Sequence, residues 1–186
     1  MCFEALCSLD IRADEWLDRL HALDPPRAAR SGLALARHVI AVAPPRPRRF
    51  ADATLEAGWR DEGHVEAALA LAGRVIDDGD PRPDERAEAL ARCEVAYHAI
   101  VTAADDFDYD AGCGAVATVI AVLTALRDGT GWGNVARCAS RVVNWAGGPP
   151  RPQTLDAVVL RRADDAQRAY QQRALLPLVR ELARAT

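Results

Sequence analysis

Four carboxylates and two aromatic side chains are concentrated in residues 105–110, which read Asp-Asp-Phe-Asp-Tyr-Asp. Carboxylates this close together could hold Mg²⁺, a hard cation that prefers oxygen ligands. Some of these Asp residues could instead cap the helix that follows, where negative charge meets the helix dipole. The alternation with Phe107 and Tyr109 is more typical of an exposed recognition loop than of a metal cage. Three interpretations stay open here: a loop with helix caps, a partner surface and a metal site.

For function, we predict partner binding at this cluster, with no catalytic residue, metal or cofactor. An acidic loop complements a basic protein surface and steers its association, and aromatic side chains supply contact area. Trp132 follows a glycine in the Gly-rich stretch 129–133, so we expect it to be an exposed second anchor. The predicted partner-binding residues are Asp105, Asp106, Phe107, Asp108, Tyr109, Asp110 and Trp132.

The histidines, the cysteines and the other reactive residues do not have the spacing of catalytic or metal-ligand motifs. Three of the four histidines, His38, His64 and His98, are candidate ligands, but their spacing matches no metal motif. The five cysteines form no Cys-x-x-Cys pair, so we expect reduced thiols, with Cys93, Cys113 and Cys138 in the core. The sequence contains no Gly-x-Ser-x-Gly elbow, phosphate loop or dinucleotide fingerprint. These patterns favour a protein that is not an enzyme.

Composition indicates the scaffold that positions these residues. The chain has 186 residues, of which 50% are hydrophobic and 5% aromatic, which predicts a single all-α domain spanning residues 1–186. A pI of about 5.6 argues against a nucleic-acid partner. No signal peptide is visible, and the longest apolar run, residues 115–126, is shorter than a membrane span. We therefore expect a cytoplasmic protein without membrane contact.

Apolar spacing, interrupted by Pro, Gly and Asp, predicts eight helices within an expected range of seven to nine. The helix containing the apolar run 115–126 should lie in the middle of the bundle, because it is apolar on nearly every side. Pro177 should kink or break the last helix. The predicted helices cover residues 11–23, 27–42, 47–60, 64–76, 83–104, 111–127, 133–146 and 154 onward.

An internal repeat with an offset of 36 residues refines the fold class. Residues 33–40 read LALARHVI and residues 69–76 read LALAGRVI. Pro-Arg-Pro follows both copies at the same offset, at 45–47 and 81–83, and a fainter third copy ends at 150–152. Each Pro-Arg-Pro is expected to open the next helix. The pattern predicts an irregular helical bundle or a short array of helix hairpins.

Charge is distributed unevenly along the chain. Residues 77–110 contain 11 acidic residues and 3 arginines, whereas residues 137–186 contain 9 arginines and 4 acidic residues. The two regions could complement each other within the fold. Alternatively, the acidic region could attract a basic partner.

Residues 33–60, LALARHVIAVAPPRPRRFADATLEAGWR, resemble helical immunity proteins of bacterial polymorphic-toxin systems. The matching features are Val39-Ile40, Arg46-Pro47-Arg48 and Ala53-Thr54-Leu55-Glu56-Ala57. The resemblance implies a cytosolic protein that blocks the active site of a cognate toxin with a basic surface. Two alternatives stay open: a small Mg²⁺-dependent phosphohydrolase that uses residues 105–110, and a helical-repeat adaptor.

Overall fold

The computed structural model describes residues 1–60, 62–79, 82–105, 111–143 and 157–186, except the side chain of Val143. These residues form nine α-helices and no strand, which confirms the predicted all-α class and the range of seven to nine helices. The helices are α1 Phe3–Cys7, α2 Ala13–Leu23, α3 Pro25–Val42, α4 Ala53–Gly58, α5 His64–Asp78, α6 Pro83–Ala103, α7 Ala111–Asp128, α8 Trp132–Val143 and α9 Ala157–Ala185.

Most helices begin at the positions that the sequence predicts, since capping groups and prolines define them locally. Asp24 accepts a hydrogen bond from the backbone N–H of Arg27 at 3.1 Å, and Pro25 opens α3. Pro83 likewise opens α6. The five-residue helix α1 was not predicted, because it is too short to show a periodic pattern.

Two predicted effects of proline, a helix start at Pro47 and a helix break at Pro177, are wrong. Pro47 does not open a helix: residues 44–52 are non-helical, and α4 begins only after Asp52, whose carboxylate accepts from the N–H of Leu55 at 2.8 Å. The two copies of the repeat therefore diverge after their first helices, although these helices, α3 and α5, pack against each other. Pro177 does not break α9, which continues for 29 residues.

Helix α7 occupies the middle of the bundle, as predicted. It packs against α3, α5, α6 and α8, and its buried side chains include Val116, Val119, Val122 and Leu123. With 18 residues and a mean hydropathy of 1.4, it is long and apolar enough to cross a membrane, unlike the 12-residue run considered from sequence. More than half of it is buried among the other helices, which is compatible with the core helix of a soluble protein.

Candidate partner-binding surface

The structure separates the predicted contact residues. Asp105 is exposed at the end of the segment that follows α6, while the predicted residues Asp106–Asp110 lie outside the described residues. Trp132 is only 2% exposed, so the prediction of an exposed anchor is wrong. Its ring lies against Gly32 of α3, and its centroid is 6.3 Å from that of His21 of α2. Burial at this helix junction excludes the Trp132 side chain as a free contact group.

Asp105 is held beside a loop that is distant in sequence. Phe50 and Ala104 form an isolated antiparallel bridge. The N–H of Asp105 donates to the carbonyl of Arg49 at 3.1 Å, and the N–H of Ala51 donates to the carbonyl of Ala103 at 2.9 Å. The acidic segment therefore starts next to the Arg-rich loop between α3 and α4.

That loop and α4 form what we call the arginine–aromatic segment, residues 44–60. Its side chains alternate with a period of two: Pro45 and Pro47 are buried, whereas Arg46 and Arg48 are exposed. The loop is bent, since the N–H of Arg46 donates to the carbonyl of Pro44 at 2.7 Å, and its two buried prolines attach it to the bundle. Arg49 is exposed as well, so three guanidinium groups emerge from four consecutive residues.

Two aromatic side chains complete the arginine–aromatic segment. The rings of Phe50 and Trp59 meet edge to face with their centroids 5.7 Å apart, and the guanidinium carbon of Arg46 lies 5.7 Å from the centroid of Phe50. Arg60 donates to the carbonyl of Trp59 at 2.7 Å and to that of Ala57 at 3.2 Å. No residue of α4 is buried, so this helix lies on the surface.

Ion pairs compensate part of the remaining negative charge of residues 77–105. Arg82 lies 2.9 Å from Glu85, and Arg92 lies 2.5 Å from Glu88. Arg30 of α3 lies 4.0 Å from Asp77. These pairs neutralise three of the acids, while Asp78, Asp84, Glu94 and Asp105 remain exposed and have no ion pair among the described residues.

The histidines are dispersed over the structure. His98 is exposed, His38 is half-buried, and His64 lies 2.5 Å from Glu62 at the start of α5. Among the described residues, no group of three His, Cys, Asp or Glu side chains is placed to hold a metal ion. His38, His64 and His98 are therefore not assembled into one site.

The cysteines differ in burial, and burial affects the pKa of their thiols. Cys93 and Cys113 are buried in the core, as predicted, while Cys138 is half-buried. Burial, with the nearby carboxylates of Glu66 and Glu94, raises the pKa of the Cys93 thiol to about 12. Burial also raises the pKa of Cys138. Both thiols are thus poor nucleophiles at neutral pH.

A groove of about 430 Å³ runs along α7 between α6 and α8. Its base is formed by small or aliphatic side chains such as Ala117, Ile120 and Ala121, and Cys138 lies in its wall. Asp128 and Asn134 are at its polar edge. The ion pair of Asp128 with Arg127 lowers the pKa of that carboxyl group. The groove provides apolar contact area, but it contains no assembled acid–base pair.

The arginine–aromatic segment is a candidate contact surface that was not predicted from the sequence. The signal for this surface is the alternation Pro45-Arg46-Pro47-Arg48, which by itself predicts only a helix start.

Comparison of the chain with models of known protein families, with curated protein sequences and with solved structures finds no match in any of the three.

Proposed function

We propose that this protein is a cytosolic immunity protein that binds a cognate bacterial toxin and blocks its active site. The supporting observation is the pairing of Phe50 with Ala104, which joins the two sequence features that suggested recognition. One is the segment that resembles immunity proteins, and the other is the acidic segment that starts at Asp105. A binding protein needs a stable scaffold and a surface that complements its partner; the helical bundle supplies the scaffold, and we assign the surface to the acidic segment.

The physical basis is electrostatic complementarity. Toxins that act on nucleic acids or phosphorylated cofactors need basic active-site clefts, into which an acidic loop fits. Such charges mainly accelerate association, whereas aromatic side chains such as Tyr109 should slow dissociation. A phosphohydrolase that used the same carboxylates would need Mg²⁺ for its activity. In an adaptor, they would bind a partner without toxic activity.

The test replaces Asp106, Asp108 and Asp110 by Asn, which keeps side-chain size and much of the capping ability but removes charge. We expect weaker protection of cells against the toxin encoded by the adjacent reading frame. The association rate should fall and depend less on salt, while the melting temperature should barely change. Protection is measured by cell survival, and association by surface plasmon resonance with inactivated toxin.

The matched control removes three exposed acids elsewhere, by Asp10→Asn, Asp78→Asn and Glu94→Gln. It should protect and bind like the wild type. Equal protection by the triple Asn variant would contradict the role of the acidic segment. Hydrolysis of phosphate esters that is abolished by chelation would instead favour the phosphohydrolase.

A further inference from the structure

We propose that Arg46 and Arg49 bind carboxylate groups of the same partner protein, so that the partner surface presents both signs of charge. This inference rests on the proposed function and specifies the chemistry of the partner surface. Both arginines are exposed, and among the described residues neither makes an ion pair with a carboxylate. By contrast, Arg74, Arg82 and Arg92 are all paired with acids of α6.

The backbone holds these arginines in place before a partner arrives. Proline fixes its own φ near −65° and restricts the residue that precedes it, so Pro47 limits the backbone conformations of Arg46, and the backbone just before Arg46 is fixed at Pro45. Both prolines are buried, and the carbonyl of Arg49 accepts the N–H of Asp105 at 3.1 Å. A preorganised guanidinium loses less conformational entropy on binding and is therefore a better contact group.

The neighbouring aromatic rings give this surface the composition of a binding hot spot. Phe50 and Trp59 are half-buried and pack edge to face, with Arg46 beside Phe50. Interface hot spots are enriched in Trp, Tyr and Arg, whose apolar area excludes water from the charged contacts. A carboxylate bound here would be held by bidentate hydrogen bonds in a partly dry environment.

Alternating charge favours a protein over a nucleic acid as the partner. Asp52, Glu56 and Asp105 are exposed close in sequence or space to Arg46 and Arg49. A phosphate backbone presents continuous negative charge, which these three acids would repel. A folded protein surface can instead offer carboxylates to the arginines and basic groups to Asp105 and the acids that follow it.

The test measures binding of the inactivated toxin from the adjacent reading frame to the variant Arg46→Gln/Arg49→Gln. The control Arg173→Gln/Arg184→Gln removes the same charge from exposed positions on α9. Arg184 lies near Thr186, whose hydroxyl is 3.4 Å from that of Ser31, so the control lies toward the opposite end of α3. We expect the first variant to bind about tenfold more weakly, and the control to bind within about twofold of wild type.

The other outcomes separate the two proposals. If Arg46→Gln/Arg49→Gln binds the toxin as tightly as the wild type does, this inference is wrong and the proposed immunity function stands. If the wild-type protein does not bind the toxin, both proposals are wrong. Arginine-dependent binding of a single-stranded DNA oligonucleotide would identify a nucleic-acid surface instead. Arginine-dependent dimerisation in sedimentation would identify a second copy as the partner, and either result would overturn the inference. Unchanged melting temperatures of both variants exclude a folding defect.

Discussion

At the residue scale, one glycine explains why Trp132 is buried. A Cβ atom at Gly32 would lie 2.7 Å from two ring carbons of Trp132, which is closer than real contacts allow. The ring therefore occupies the space that a side chain at residue 32 would need. Because the two residues are 100 positions apart, no local pattern could reveal this contact.

Gly32→Ala should therefore destabilise the protein, even though Ala is the better helix former by about 1 kcal/mol. Displacing the packed Trp132 ring should lower the free energy of unfolding by about 1 to 3 kcal/mol. Gly58→Ala is the control, since a Cβ atom there meets nothing within 4 Å. Urea denaturation of both variants gives the comparison, and equal stabilities would show that the ring can move without penalty.

At the scale of the elements, buried polar groups join α2, α8 and α9. Asp14 is only 4% exposed, and its carboxylate accepts from Arg137 of α8 at 2.9 Å. The N–H of Asp14 donates to the side chain of Gln172 at 3.0 Å, and Gln172 of α9 donates to Ser140 at 2.7 Å. Satisfied polar groups of this kind favour one arrangement of the helices, since any shift would leave them buried and unpaired.

Helix α9 continues through Pro177 because its packing holds both sides of the proline. Leu175, Leu176 and Val179 are all buried against the bundle, whereas Pro177 itself is exposed. Proline removes a helical hydrogen bond, here the one that would end at the carbonyl of Arg173. Tertiary packing thus overrides the local preference to end the helix.

Pro177→Ala should therefore raise the free energy of unfolding by about 1 to 3 kcal/mol, since it restores that bond at an exposed site. Glu181→Ala, at another exposed position of α9, should change stability by about 0.5 kcal/mol or less. Chemical denaturation measures both. A loss of stability in Pro177→Ala would mean that the helix is bent around the proline and needs that bend.

At the scale of the whole molecule, the buried core and the proposed recognition surface lie in different places. The buried core includes side chains from every described helix except α4. The arginine–aromatic segment is attached to this core by Pro45, Pro47 and the bridge between Phe50 and Ala104. Exposed side chains on a loop attached in this way can change without loss of the fold.

Hydrogen exchange should therefore differ sharply between α4 and α7. A six-residue helix without buried side chains is marginal in water, so the amides of α4 should exchange near the rate of an unfolded chain. The amides of α7 should exchange only on global unfolding. Exchange followed by mass spectrometry measures both, with the amphipathic helix α5 as an intermediate reference. Strong protection of α4 would contradict this division.

The sequence by itself determined the elements whose signals are local. Asp24-Pro25 and Pro83 define helix starts through capping and a fixed φ, and the apolar run 115–126 requires a buried helix. These features act within one or two helical turns, so they can be read without knowing the neighbours. They were sufficient for the all-α class and for the central position of α7.

Only the tertiary structure shows which of the candidate side chains are buried and which segments lie side by side at the surface. The ring of Trp132 fills the space beside Gly32, and Ala104 pairs with Phe50 to bring Arg49 beside Asp105. Each of these outcomes depends on a residue between about 50 and 100 positions away. Packing space and backbone hydrogen bonds at that separation exist only once the helices have assembled, because their free energy comes from contacts between elements.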